Sequence, residues 1–479
     1  MRHALTLIPL LALIPACAVN PATGERQLML VSEGSEIAMG READPEVTVQ
    51  YGLYPDSLLQ AYVRGLGERL AAVSERPNLP WTFRVVDDPV INAFALPGGF
   101  IYVTRGIMSY FNSEAELVSV LGHEIGHVTA RHSASQMSQQ QLAQVGLVAG
   151  MVVAPQLQDF AGLAEASLGL LFLKFSRDDE RQADNLGLRY LTRVGYEPGE
   201  MPKVFAMLAS ASQAESRGRL PSWLSTHPDP VDRQQRITQA IVALPAEPGP
   251  RTVGRDEYLR RLDGLLFGPN PREGFFQGQT FLHPDLRFRI SFPTGWRTAN
   301  QRGAVVGQSA HQDALLELTL ANATSPEAAV QAFIGQQRIT AAGQPTRFQA
   351  RRGMAAARAA FTATSGQTRL AGLVWAVRYN QQIFQVMGVS TEARWPGYES
   401  VVLQTLDSFG PLTDSAALAV QPLRLDIVPL ERAMTLQEFS QRYPSQVTLE
   451  ALARLNQAQP AGRLAAGQLV KRVVGGPLP

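Results

Sequence analysis

The sequence predicts an α+β protein of several domains, mainly helical in its first half and strand-rich beyond it. Three observations predict this. The chain has 479 residues, and at roughly 150 residues per domain that leaves room for about three. Apolar residues recur mostly at helical spacing up to about residue 212, and from Leu286 they alternate. A proline-rich stretch at 244–251 and a second boundary at 411–422 fall where the pattern changes. Residues 17–50 read as a polar tether and 51–245 as a mainly helical domain with a short β-sheet. Residues 246–271 read as a linker, 272–412 as a sandwich-like α+β domain, and 423–475 as a small βααβ module.

Composition bounds the function. The chain is 45% hydrophobic with a formal net charge of +1. That is enough apolar material for real cores, and it offers no charge excess to draw a nucleic acid. No apolar run reaches the ~18–20 residues that span a bilayer. The single cysteine, Cys17, excludes an intrachain disulfide and any Cys-built zinc site, so a metal must use His, Asp or Glu. Cys17 follows Arg2, His3 and an apolar run from Ala4 to Ile14, the layout of a signal peptide over residues 1–16. Ile14-Pro15-Ala16-Cys17 resembles a bacterial lipobox, which implies lipidation at Cys17 and a membrane anchor. Cleavage after Ala18 is the alternative. Ala18 and Val19, with no Asp after the cysteine, imply outer-membrane sorting.

In chain order, Leu58 to Val73 has one apolar face and reads as a helix, and Trp81 to Val86 alternates as a strand. Asn92 to Val103 forms two apolar arms around the turn signal Pro97-Gly98-Gly99. Glu114 to Arg131 is a helix with Ser113 as N-cap and Glu116 at the capping-box position. Leu142 to Phe175 is small and apolar, broken by Pro155. Asp178 to Val194 and Met201 to Ser212 are further helices, and Tyr258 to Phe267 is a helix-like piece within the linker. Beyond it, Leu286–Phe292, Leu315–Leu320, Leu373–Tyr379 and Ile383–Val389 read as strands. Ala328–Gln337 and Tyr398–Phe409 read as helices.

The chemistry lies in His123-Glu124-Ile125-Gly126-His127. Histidines four apart on a helix face the same side one turn apart, a spacing that serves one Zn²⁺. Glu124 sits beside them, able to reach a water without being a ligand. Leu117, Val118, Val120, Leu121, Ile125 and Val128 make the helix apolar on nearly all sides, hence buried. Two histidines and a glutamate inside it need partners, and a metal satisfies all three. A third histidine six residues beyond His127 would fall at Ser133, and His132 is one residue short of that register. The other source is a carboxylate on a later helix. Glu180 and Asp184 share a face at i, i+4, so Glu180 can ligate while Asp184 holds a ligand imidazole.

Four ordered motifs now stand together. They are Asn92-Ala93-Phe94-Ala95-Leu96-Pro97-Gly98-Gly99, His123-Glu124-x-x-His127, Phe175-Ser176-Arg177 with Glu180-x-x-Ala183-Asp184, and Ser225-Thr226-His227-Pro228. Over residues 30–240 the chain closely resembles the gluzincin metallopeptidases of the HtpX, BepA and Oma type, metallopeptidase family forty-eight. The resemblance implies one Zn²⁺ per chain on His123, His127 and Glu180. It makes Glu124 the general base and Asp184 the residue that supports a ligand histidine. His227 either steadies the oxyanion or fills the fourth zinc position in a latent state. The arms at Asn92, Ala93, Phe94, Ala95, Pro97, Gly98 and Gly99 resemble the family's edge strand, which pairs with an extended substrate backbone. The insert 142–175 is expected to lie over the cleft as a lid.

Two further resemblances concern the rest of the chain. His283-Pro284 and Phe292-Pro293-Thr294-Gly295-Trp296 loosely resemble modules of the PsbP type, with no chemistry implied. Met434-Thr435-Leu436, Phe439, Leu452, Leu455-Asn456 and Gly467-Gln468-Leu469-Val470-Lys471 resemble a LysM domain, which implies possible peptidoglycan contact. Glu431-Arg432 stand where that family has a glycine and an acidic residue. The function implied is a zinc endopeptidase of the bacterial periplasm, an outer-membrane lipoprotein that hydrolyses misfolded or stalled envelope proteins with a water that Glu124 deprotonates. A chaperone-like binding protein with latent protease activity is the alternative, and a peptidoglycan hydrolase a third.

Overall fold

A computed structural model of the protein describes residues 17–147, 174–214, 223, 226–245, 249–366 and 368–476. The expected signal peptide, the body of the expected lid (148–173) and Ser225 lie outside the described residues, as does the side chain of Cys17. The described residues fall into two compact units. One joins the residues up to 268 with 424–474, and the other spans 269–423.

The first unit is mainly helical. Its helix Ser57–Ala72 starts on Asp56, whose side chain accepts from Leu58 N and Leu59 N at 2.9 Å. A three-stranded sheet follows, in the order Thr82–Val86, Phe100–Thr104, Ala93–Leu96. The first two strands are parallel and the last two form an antiparallel hairpin. The hairpin turns through Gly98 and Gly99, with φ of 81° and 103°. At Gly98 a Cβ would lie 2.6 Å from Ile37 Cα, so only glycine fits there. The hairpin leaves Ala93–Leu96 as an edge strand.

Two long helices carry the motifs. The histidine helix, Glu114–Thr129, is buried along nearly its whole length, as its apolar circumference requires. Ser113 caps it, accepting from Glu116 N at 3.2 Å. The Glu116 carboxylate does not return to Ser113. It accepts from Asn112 N at 2.9 Å and from Gln457 Nε2 at 2.9 Å instead. The carboxylate helix, Arg177–Arg193, opens on a complete capping box between Ser176 and Asp179. Helices Met201–Ala214 and Pro230–Val242 pack against this pair.

Two segments differ from the sequence expectation. Residues 17–50, read as a tether, are folded. Cys17–Val19 pairs with Arg26–Leu28, and Glu33–Tyr51 is a helix. Glu36 on that helix is buried between Arg76 Nη2 at 2.8 Å and Arg131 Nε at 2.6 Å. Those partners are remote in sequence, so a polar local pattern hides the packing. Within 246–271, read as a linker, lie the helix Arg255–Arg261 and the strand Leu266–Phe267. That strand joins a three-stranded sheet with Leu423–Pro429 and Leu469–Val474.

The segment 423–474 runs strand, helix Leu436–Arg442, helix Leu449–Leu455, strand, around Leu436, Phe439, Leu452 and Val470. It is part of the first unit. Lys471 is fully buried, and its ammonium donates to Ser109 O at 2.8 Å and Phe111 O at 2.9 Å, just before the histidine helix.

The second unit is strand-rich. A largely antiparallel sheet of eight strands has the long strands Ala355–Ser365, Thr368–Tyr379 and Gln382–Thr391 at its centre. One face packs on a four-stranded sheet and the helix Trp395–Ser408, through Phe288, Ile290, Trp375, Phe384, Val402 and Leu406. The other face packs on the helix Pro326–Ile334 through Val330, Ile334, Phe361 and Val374.

Candidate metal centre

Close approach of two helices builds the centre. A Cβ on Gly187 would lie 2.9 Å from His123 N, and one on Gly126 would lie 3.0 Å from Ala183 O. With no side chains between them, the backbones touch and the carboxylates of one helix reach the imidazoles of the other. His123 and His127 bring their Nε2 atoms to 3.0 Å. Glu180 Oε1 lies 3.3 Å from His127 Nε2, and Oε2 lies 3.7 Å from His123 Nε2. His227, which precedes the helix Pro230–Val242, puts Nδ1 2.8 Å from Glu180 Oε1 and 3.4 Å from His123 Nε2.

These four residues are buried, and one donor atom from each lies within 4.8 Å of the others. Tetrahedral Zn–N bonds of about 2.0–2.1 Å set neighbouring donors about 3.3 Å apart. The separations of 2.8 to 3.7 Å bracket that value. The protonation states suit a cation as well. Burial pushes the His123 imidazole down to about 3, so it is neutral and able to ligate. Burial alone would raise the Glu180 carboxyl, but the charges of His227 and Arg233 outweigh it and hold that group well below the usual carboxylate range. The residues present fit zinc.

The flanking groups divide into two sets. Glu124 is buried beside the donors, and burial pushes its carboxyl up to about 7. Its Oε1 lies 3.8 Å from His227 Nε2 and accepts no hydrogen bond among the described residues. Asp184 Oδ1 lies 3.0 Å from His123 Nδ1. Arg233 clamps Asp184 through Nε and Nη2 at 2.9 and 2.6 Å, with Nη1 2.7 Å from Glu180 Oε2. The guanidinium is buried under the rings of Phe205 and Trp223, at 4.7 and 4.8 Å. Trp223 stacks on His227 at 4.6 Å, and Phe175 lies on His127 at 4.0 Å.

Apart from Cys17, whose side chain lies outside the described residues, each expected site residue has a place. His123, His127, Glu180 and His227 converge, with Glu124 and Asp184 at their edges. The hairpin with Asn92, Ala93, Phe94, Ala95, Pro97, Gly98 and Gly99 runs beside the histidine helix. Ala95, Pro97 and Gly98 line a small hollow together with His127. The sequence reading assigned no part to Arg233, Trp223 or the Phe175 ring. Arg233 sits on a helix whose local pattern is that of a solvated face, and no spacing marks it.

Paired histidines on one helix and a carboxylate from a second define the class of HExxH zinc peptidases. Residues 57–241 match the model of Peptidase family M48. The chain is 35% identical over 256 residues to the beta-barrel assembly-enhancing protease of Yersinia pestis, covering 52% of this chain and 51% of that protein. It is 34% identical over 226 residues to the Escherichia coli protein of that name, covering 44% and 45%. It is 37% identical over 175 residues to mitochondrial metalloendopeptidase OMA1 of Arabidopsis thaliana, covering 36% and 34%. The chain thus spans about half the length, or less, of these relatives. Among solved structures, cyanobacterial PsbP from Synechocystis matches at a TM-score of 0.24 and 13% identity over 28% of this chain and 91% of that one. That likeness carries no argument.

Proposed function

We propose that the chain is a zinc-dependent endopeptidase of the bacterial envelope, cleaving misfolded or stalled envelope proteins. The observation that carries this reading is the convergence of His123, His127, Glu180 and His227 from segments far apart in sequence. In the proposal His123, His127 and Glu180 hold one zinc ion. When bound, zinc supplies Lewis-acid polarisation of a peptide carbonyl and acidifies a water. Glu124 takes the proton of the attacking water and hands it to the leaving amine. Asp184, clamped by Arg233, orients His123. The edge strand Ala93–Leu96 offers unpaired backbone groups to an extended substrate, so recognition is of chain shape more than side chains.

The envelope location rests on the signal-like start, on Cys17 as lipid anchor, and on relatives named for β-barrel assembly. Peptidoglycan contact through 423–475 belongs to the same proposal, and no nucleic acid is involved. Zinc analysis with a peptide-cleavage assay tests it. Glu124→Gln is expected to keep stoichiometric zinc and lose cleavage. Retained cleavage sinks the proposal. Cleavage of murein but not of casein selects the peptidoglycan-hydrolase reading instead.

The seat of His227 within the donor group favours a second reading, in which it holds the fourth zinc position and keeps the protease latent. His227→Ala would then raise cleavage of an unfolded protein, whereas an oxyanion role would lower it. If Glu124→Gln still rescues envelope assembly in cells, the binding or chaperone function stands on its own.

A further inference from the structure

Beside the donor group, four side chains from three parts of the chain stand in line. His127 turns Nδ1 toward His132 Nδ1, 2.9 Å away. His132 Nε2 lies 2.7 Å from Gln182 Oε1, and Asn20 Nδ2 lies 3.2 Å from that same oxygen. Asn20 Oδ1 in turn faces Ala22 N at 2.8 Å.

With His132 neutral, that last contact fixes every proton in the line. A backbone N–H only donates, so Asn20 presents its oxygen to Ala22 and its amide N–H to Gln182. Gln182 must therefore present its oxygen to His132, and His132 Nε2 carries the proton. Nδ1 of neutral His132 is left as an acceptor, so His127 Nδ1 donates to it. His127 Nε2 is then a bare lone pair pointing at the donor group. On the other side, His123 Nδ1 faces the Asp184 carboxylate at 3.0 Å and must donate, which bares His123 Nε2 as well. Two lone pairs 3.0 Å apart repel, and a cation between them relieves the repulsion for both; the other groups near His123 Nε2, Arg233 Nη2 and His227 Nδ1, stand off at 3.4 Å.

We infer that His132 is a positioning residue for the zinc ligand His127, with Gln182 and Asn20 fixing its tautomer. The inference rests on the zinc reading above. It makes the two ligand histidines unequal. His123 leans on a carboxylate, which raises its basicity, whereas His127 leans on a neutral imidazole. It also gives the folded ribbon after Cys17 a part in the centre, because Asn20 lies in its turn.

The test uses full-length zinc-loaded protein and its Co²⁺-substituted form. Zinc affinity is read by competition with a colorimetric chelator, ligand geometry by the Co²⁺ absorption bands, and folding by thermal melts of the metal-free form. His132→Ala is expected to lower zinc affinity about 10–100-fold and to shift the Co²⁺ bands, with an unchanged metal-free melt. His132→Asn places Oδ1 where Nδ1 stood, and is expected to restore most of the affinity and the bands. Gln182→Leu falls between them. Wild type that holds zinc while His132→Ala holds it as tightly overturns this inference alone. Wild type that takes up no zinc overturns the zinc reading with it. Should His132→Ala fail to fold, His132→Asn and Gln182→Leu decide by the same readings.

Discussion

The two ends of the histidine helix both bury ionisable groups, and they do so to opposite effect. At its start, Glu116 accepts from Asn112 N and Gln457, while Lys471 gives its protons to two backbone carbonyls. Every contact there runs outward, to groups that join the 424–474 segment to the rest of the first unit. Toward its end, His123 and His127 turn inward on one point with Glu180 and His227, with Glu124 buried beside them. The difference teaches how to read buried charge. Groups satisfied by dispersed partners hold structure together, whereas donors crowded on one another require a ligand.

The largest test of this contrast is Glu124→Gln. With Glu124 in its proposed role of proton acceptor, the change should lower cleavage about 10²–10⁴-fold, with zinc content and melting temperature unchanged. Next is Arg233→Met, which leaves Asp184 and Glu180 as buried carboxylates without their cation. Breaking a buried pair costs about 3–5 kcal/mol, read by denaturant melts of the metal-free protein. At the other end, Lys471→Met leaves Ser109 O and Phe111 O without a donor. It should cost about 1–3 kcal/mol and leave zinc stoichiometry intact. If Lys471→Met instead strips the metal, the two ends are not separate.

A further effect is a pH dependence at the start of the helix. Burial pushes Glu116 from 4.5 up to about 7. Between those values the folded protein holds a proton that the unfolded chain has released. Wild-type stability from this group therefore falls as pH rises through that window. Glu116→Gln removes the titration, so the variant should gain on wild type from pH 4.5 to about 7 and no further. Melting temperatures of both proteins across that range check the sign.

Much of the centre was legible in the sequence, for reasons that differ by residue. The spacing of His123 and His127 is local geometry, as is that of Glu180 and Asp184, and a helix fixes both. The buried character of the histidine helix followed from its apolar circumference. The helix Ser57–Ala72, the strand Thr82–Val86 and the hairpin lie within a residue or two of where periodicity and turn signals put them. Arg233 and His132 were not legible in this way. Each acts through partners about fifty residues away, at Asp184 and at Gln182. The folding of 17–50 was hidden for the same reason, since Glu36 is neutralised by Arg76 and Arg131.

What the sequence determined by itself was the kind of donor on offer. One cysteine near the start, an HExxH helix and a later Glu-x-x-x-Asp leave nitrogen and carboxylate as the only ligands, and periodicity decides which faces they share. The tertiary structure decided the rest. Glycine and alanine at 126, 183 and 187 let two backbones meet, so that four donors converge. The strand Leu469–Val474 packs at the start of the helix whose far half carries the two histidines. The proton order around His127 depends on a hydrogen bond to Ala22, more than a hundred residues before it. Such facts depend on distance in space, and a pattern along the chain records only distance in sequence.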